Sequence, residues 1–216
     1  MQRTLYHGSE SIITEPIYGF GSPNNDYGLG FYCSPDRKLA KEWASKKYGH
    51  GFANKYIIKD DSLNVLDLTS DSYSVLNWIS LLMHNRRIGQ DLKKEYPREL
   101  AYLEEKYLID LSKYDAVIGY RADDAYFKFP TAFIQSRITL ESLDKIYLAG
   151  DLGKQFVLLS EKAFKLLKFK EAIETDESFK EAYYSRINEA NTTYEDLLIA
   201  DQYSNGTRLI DLVKDK

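Results

Sequence analysis

An α+β fold is predicted for this chain of 216 residues on three grounds. Short apolar runs bounded by Gly, Pro, Asn or Asp read as strands at 3–8, 31–33, 55–59, 64–68, 116–120 and 155–159. Apolar residues at helical spacing fill the middle of the chain, from 73 to 111. From Lys170 onward the pattern turns polar and helical, which divides the chain into a core, 1–169, and a helical C-terminal appendage, 170–216.

The first strand, 3–8, runs into a His-Gly-Ser string, then 11–14, then a loop from 16 to 26 full of Gly, Pro and Asn. Gly28 and Gly30 lead into the strand at 31–33. A helix start follows: Ser34 suits the N-cap, Pro35 the first helical position, and Asp36 the positive end of the dipole. Leu39, Ala40, Trp43, Ala44 and Lys47 carry that helix to Tyr48. After strands at 55–59 and 64–68 comes a helix at 73–84 with Val75, Leu76, Ile79, Leu82 and Met83. Pro97 opens another, placing Leu100, Leu103, Tyr107 and Leu111 on one stripe. A buried strand is expected at 116–120. Two more, at 145–149 and 155–159, flank the hairpin-like Gly150-Asp151-Leu152-Gly153. Ser160 to Lys162 starts a short helix ending near Phe169. In the appendage, Phe179, Ala182, Tyr183 and Ile187 form a modest stripe that either packs on the core or meets a partner.

Composition sets limits on function. A hydrophobic share of 44% with 29% charged residues is that of a globular protein with a real core. The net charge of −4 weighs against a duplex nucleic-acid scaffold, although 29 Lys and Arg leave room for a local basic patch. Cys33 is the only cysteine, so neither an internal disulfide nor a cysteine-rich zinc site can form. His7, His50 and His84 share no ligand motif, and no metal is expected. The N-terminal residues carry no apolar signal core, and no run approaches the ~20 residues of a membrane helix. A cytoplasmic protein with no membrane partner is therefore expected.

Several chemistries lack their signatures. Gly28 and Gly30 miss the third spaced Gly and the βαβ setting of a Rossmann site, and P-loop, Gly-x-Ser-x-Gly and His-Glu-x-x-His strings do not occur. Nothing near Cys33 in sequence would depress a thiol pKa, which disfavours a thiol nucleophile.

Three strings remain: Leu5-Tyr6-His7-Gly8-Ser9, Tyr27-Gly28-Leu29-Gly30-Phe31-Tyr32 and Lys154-Gln155-Phe156-Val157-Leu158-Leu159. In this order they resemble the strand-borne elements that hold NAD+ in the diphtheria-toxin-like and poly(ADP-ribose) polymerase-like ADP-ribosyltransferases. An uncharacterised bacterial family with the same His-Gly-Ser and Gln-aromatic-Val motifs is similar over about residues 4–169. The resemblance implies a split β-sheet core with peripheral helices, and NAD+ as substrate. It implies that His7 bonds the adenosine-side ribose, the backbone of Gly8 meets the nicotinamide carboxamide, Ser9 belongs to the same NAD+-binding string, and Tyr32 lies against the nicotinamide ring. A Gly at position 8 would let the ring approach the main chain. Trp43, eleven residues after Tyr32, is either a second stacking aromatic or helix core.

Two departures from the family pattern stand out. Ala40 sits where some members carry a small hydroxyl residue. Gln155 sits where polymerase-like members place Glu, so the triad reads His7, Tyr32, Gln155. Gln keeps a hydrogen bond to the ribose but brings no charge against the developing cation. Added charge at this position, Gln155→Glu, is therefore expected to raise hydrolysis. Asp123 and Asp124 either make good that charge, or steer the acceptor, or cap the next helix. Arg121 either meets the NAD+ pyrophosphate or pairs with a neighbouring Asp. The resemblance implies a mono-ADP-ribosyltransferase acting on a protein or nucleic-acid acceptor, as a bacterial toxin or phage–host conflict factor with an antitoxin partner. An NAD+ glycohydrolase and an inactive NAD+-binding module are the alternatives.

Overall fold

The computed structural model describes residues 1–122, 126–148 and 153–214. It is 46% helix and 19% strand, the α+β class expected. The strands are β1 (Gln2–Ser9), β2 (Phe31–Cys33), β3 (Phe52–Lys59), β4 (Val65–Asp67), β5 (Ala116–Tyr120), β6 (Lys154–Leu158) and β7 (Lys168–Glu174). The helices are α1 (Arg37–Ser45), α2 (Val75–Asn85), α3 (Arg87–Glu95), α4 (Pro97–Tyr107), α5 (Lys128–Ile134), α6 (Leu140–Leu148), α7 (Glu161–Leu166), α8 (Glu177–Asp201) and α9 (Leu209–Lys214). One sheet is antiparallel in the order β1-β3-β7; the other runs β2-β6-β5-β4, antiparallel except for the parallel β4–β5 pair.

Among the described residues a single bridge joins the two sheets. Tyr6 and Ser34 exchange backbone hydrogen bonds of 2.8 Å in each direction, and β1 and β2 then part. Successive carbonyls on one edge of a strand lie two residues apart, so the next acceptor on that edge of β2 is Tyr32. No β1 backbone donor reaches it; the His7 side chain does. The split begins at this substitution of a side chain for a ladder bond.

β6 is apolar on both faces because both faces are covered. Val157 packs with Leu66, Val117, Trp78 and Phe133 in the larger core, which α2, α4, α5 and α6 close. Phe156 and Leu158 point the other way, into a smaller core with Leu5, Phe31, Tyr56, Ile58 and Ala163 between the sheets. Strand alternation puts Gln155 on the Val157 face.

Four expectations are corrected. Residues 145–148 are the end of α6 and not a strand, because Leu143 and Tyr147 are buried four residues apart at helical spacing. The expected turn at 150–153 lies, apart from Gly153, outside the described residues. The helix after β2 starts at Arg37, with Asp36 as N-cap accepting from the Lys38 and Leu39 amides; the Ser34 hydroxyl accepts instead from the Asp36 amide at 3.0 Å, too early in the chain to cap the helix. The helix after β6 ends at Leu166, and residues 168–174 form β7, the third strand of the first sheet. The segment after 170 therefore opens as strand and shares the core fold. Its polarity is that of a sheet edge, where Glu171 pairs with Lys55 at 2.7 Å. Beyond it, α8 packs along α1 with the buried Glu42 bonded to Arg186 at 3.0 Å, and Ala190 and Leu209 are buried in the larger core. α3 was not anticipated. Among the described residues, no helix is long and apolar enough to cross a membrane.

Candidate active site

The register of β2 on β6 sets two site residues side by side. Tyr32 lies opposite Val157, so Tyr32 and Gln155 are diagonal neighbours on one face of the sheet. Both also grip the loop before β2. The Tyr32 hydroxyl donates to the Gly28 carbonyl at 2.6 Å and accepts from the Tyr27 amide at 3.0 Å. The Gln155 amide nitrogen donates to Asp26 Oδ2 at 3.0 Å.

Asp26, 4% exposed, is the centre of this wall. Its Oδ1 accepts from Arg86 Nε at 2.7 Å and lies 2.6 Å from the second guanidinium nitrogen; Oδ2 also accepts from the Ala122 amide at 3.0 Å. A buried carboxylate needs such a set of donors to offset its lost hydration. Tyr27 anchors the same loop: its hydroxyl donates to the Tyr120 carbonyl at 2.7 Å. A Cβ on Gly119 would lie 2.0 Å from that hydroxyl, so only glycine admits Tyr27 there. Tyr27 is a fully buried core residue.

His7 Nδ1 lies 2.7 Å from the Tyr32 carbonyl oxygen, which only accepts, so Nδ1 carries the proton and Nε2 is left as an acceptor. The ring stacks on Phe31 with centroids 4.3 Å apart. Burial lowers the imidazole pKa below its ordinary value, and the Tyr32 carbonyl opposes this in part. The group is neutral at pH 7. Burial pushes the Tyr32 phenol well above the ordinary tyrosine value, and the Asp26 charge adds to this while the Tyr27 amide acts the other way. With both hydroxyl roles filled, Tyr32 offers a ring face and not a proton.

Gly8 is glycine for a reason other than ligand approach. A Cβ there would lie 2.1 Å from the Ala40 carbonyl oxygen, because α1 lies directly on β1. The small side chain of Ala40 serves the same contact. One helical turn on, Trp43 is 36% exposed and carries two cations: Lys46 Nζ lies 3.4 Å from its ring centroid and the Arg121 guanidinium carbon 4.7 Å.

His7, Gly8, Tyr32, Trp43, Arg121 and Gln155 all line one cavity of about 500 Å³ in the cleft where the sheets part. Ala40, Asp26, Arg86 and Lys46 line it too. Ser9 does not. Its hydroxyl donates to the Ser11 carbonyl at 2.6 Å and accepts from Asn54 Nδ2 at 2.9 Å. Asn54, wholly buried, clips the 9–13 loop to β1 through these bonds and one from the Ile13 amide. Asp123 and Asp124 lie outside the described residues. Cys33 also reaches the cavity, but burial pushes its thiol pKa far up, so it is no nucleophile.

Chemically, this wall offers a flat aromatic face, a neutral imidazole acceptor, an amide of fixed orientation and cations over an indole. Its volume falls within the range of about 300–1,000 Å³ typical of small-molecule sites. Among the described residues no group of three His, Cys, Asp or Glu side chains is arranged to hold a metal ion. Sequence reasoning missed Asp26, Arg86 and Asn54. Nothing near them marks them, since each acquires its role from a partner dozens of positions away.

The chain belongs to the family described as protein of unknown function (DUF3990), whose model matches residues 3–169. That match ends inside β7, so the C-terminal part of the strand and helices α8 and α9 lie beyond it. No curated protein and no solved structure matches the chain.

Proposed function

We propose that the protein is a mono-ADP-ribosyltransferase that breaks the nicotinamide–ribose bond of NAD+ and passes ADP-ribose to a macromolecular acceptor. The observation that carries this reading is that His7 from β1, Tyr32 from β2 and Gln155 from β6 line one ligand-sized cavity between the two sheets. The family motifs read in the sequence supply the chemistry.

The parts fit NAD+ as follows. The Tyr32 ring is the stacking surface for nicotinamide, worth ~0.5–1.5 kcal/mol beyond burial. His7 Nε2, an acceptor by its tautomer, takes a hydroxyl of the adenosine-side ribose. Lys46 and Arg121 offer positive charge to the pyrophosphate. Gln155 turns its amide nitrogen to Asp26, so its carbonyl oxygen is the acceptor for the nicotinamide-side ribose. In the reaction the C1′–N bond breaks and its electron pair leaves with nicotinamide. Positive charge builds at C1′ as in glycoside hydrolysis, and preorganised dipoles stabilise it. An acceptor oxygen or nitrogen then bonds C1′ and sheds its proton.

The test is incubation with NAD+ labelled in the adenosine moiety, together with candidate acceptors. Label on a macromolecule with an equal yield of free nicotinamide is the expected result. Label found only as free ADP-ribose would make the protein an NAD+ glycohydrolase. No nicotinamide at any protein concentration would refute the enzyme.

A further inference from the structure

The chemistry above uses Gln155 and leaves its buried neighbour without a role. An amide side chain has two faces of similar shape, and nothing in glutamine itself decides which one meets a ligand. Here the decision is made by Asp26. Its carboxylate accepts and cannot donate, so the Gln155 NH2 must face it, at 3.0 Å, and the carbonyl oxygen must face away. The carboxylate cannot turn, since Arg86 holds Oδ1 and the Ala122 amide holds Oδ2.

Resting on the transferase reading, we propose that Asp26 is the positioning residue for Gln155: it fixes the amide with its carbonyl oxygen toward the ribose and polarises it. Asp26 does not act by its own field. Its charge sits against the Arg86 guanidinium at 2.6 Å, so at a distance the two present a dipole. What crosses to the cavity is orientation, and the added electron density that an accepted N–H bond leaves on the amide oxygen. The Asp26–Gln155 pair thus does with two residues what a single Glu does where that residue holds the site.

The pairing has a consequence for substitution. Gln155→Glu alone sets two carboxylates in hydrogen-bond contact, and they must share a proton. The other charged or titratable side chains on this cavity wall are Arg86, Arg121, Lys46, His7, Tyr6, Tyr32 and Cys33, so among the described residues Asp26 is the only carboxylate on it. The proton raises the folded-state pKa of the pair above the unfolded carboxylate value. The variant is therefore most stable, relative to wild type, at low pH, and loses that stability as pH rises through the folded value. Asp26→Asn combined with Gln155→Glu reverses the polarity of the contact: the amide introduced on the loop donates to the carboxylate introduced on β6, at the cost of the bond that Oδ2 accepts from the Ala122 amide.

The experiment measures nicotinamide release and melting temperature against pH for Asp26→Asn, Gln155→Glu and the double variant. Asp26→Asn is expected to lower kcat about ten- to a hundred-fold through misorientation, with KM for NAD+ changed less than about threefold. Gln155→Glu is expected to melt progressively lower than wild type as pH rises from 5 to 8. The double variant is expected to lose that extra pH dependence and to regain at least a third of wild-type kcat. A purely structural staple would lower the melting temperature of Asp26→Asn with kcat intact, which overturns the proposal. A double variant no faster than Asp26→Asn overturns it too; where Asp26→Asn alone does not fold, a folded double variant with less than a third of wild-type kcat overturns it. Absence of nicotinamide release from the wild-type protein removes the transferase reading instead. The contact is then judged by melting alone, where a Gln155→Glu curve parallel to wild type overturns it.

Discussion

Tyr32 separates ring from hydroxyl cleanly. Tyr32→Phe deletes an oxygen that donates to the Gly28 carbonyl at 2.6 Å and accepts from the Tyr27 amide at 3.0 Å. Each orphaned backbone group costs about 1–3 kcal/mol when it stays buried, and water reaching this half-buried site keeps the sum near 1–3 kcal/mol. At roughly 2–4 °C per kcal/mol for a chain of this size, the melting temperature falls by about 2–12 °C. The ring remains, so NAD+ affinity and nicotinamide release at 20 °C stay within about threefold of wild type. Tyr32→Ala removes the ring as well. Loss of stacking alone weakens NAD+ by about two- to twelvefold, and lost apolar contact adds to that. Differential scanning fluorimetry and isothermal titration calorimetry measure the two effects separately. A Phe variant with unchanged melting temperature and abolished nicotinamide release would refute the reasoning, since it would show the hydroxyl acting on substrate.

Three further outcomes are expected. His7 is held below its ordinary pKa by burial, with the Tyr32 carbonyl opposing, so the stability it contributes is full above the unfolded value of about 6.5 and is lost as pH falls through the folded value; an NMR titration placing its pKa above 6.5 would contradict this. Gly8→Ala brings a Cβ to 2.1 Å from the Ala40 oxygen, about 1.3 Å inside the 3.4 Å of ordinary contact. β1 and α1 must separate, and urea unfolding is expected to report a loss of at least 1–3 kcal/mol, roughly, where an unaltered midpoint would count against the packing described. Cys33 is buried with its thiol pKa raised, so iodoacetamide is expected to leave it unmodified at pH 8 until the protein is unfolded in denaturant; rapid native labelling, followed by mass spectrometry, would be inconsistent.

Much of the fold was legible where local pattern and tertiary context agree. β5 and β6 stand out as apolar runs because both of their faces are covered, and Pro97 marks the first position of α4 as its fixed φ requires. β7 was hidden because an edge strand needs only one protected face, and its Lys and Glu residues make it read as helix onset. The stretch at 145–148 misled in the opposite sense: its Ile-Tyr-Leu run looks like strand, and only the burial of Leu143 with Tyr147 reveals the helix. In the site, His7, Tyr32 and Gln155 were visible because each belongs to a short string with a distinctive order. Asp26 was not. It is one of 33 acidic residues, and it acquires meaning only when β6 brings Gln155, 129 positions away, within 3.0 Å. The Gln155→Glu expectation changes for the same reason: a charge added beside an unseen carboxylate meets repulsion before it meets substrate.

Diffraction from crystals of the protein grown with a non-hydrolysable NAD+ analogue would show whether His7, Tyr32 and Gln155 meet on one dinucleotide. The expected density places the nicotinamide ring against Tyr32 and the ribose hydroxyls within hydrogen-bond reach of His7 Nε2 and the Gln155 carbonyl oxygen. Density for the analogue on another surface, or an empty cleft at a concentration that saturates binding in solution, would contradict it.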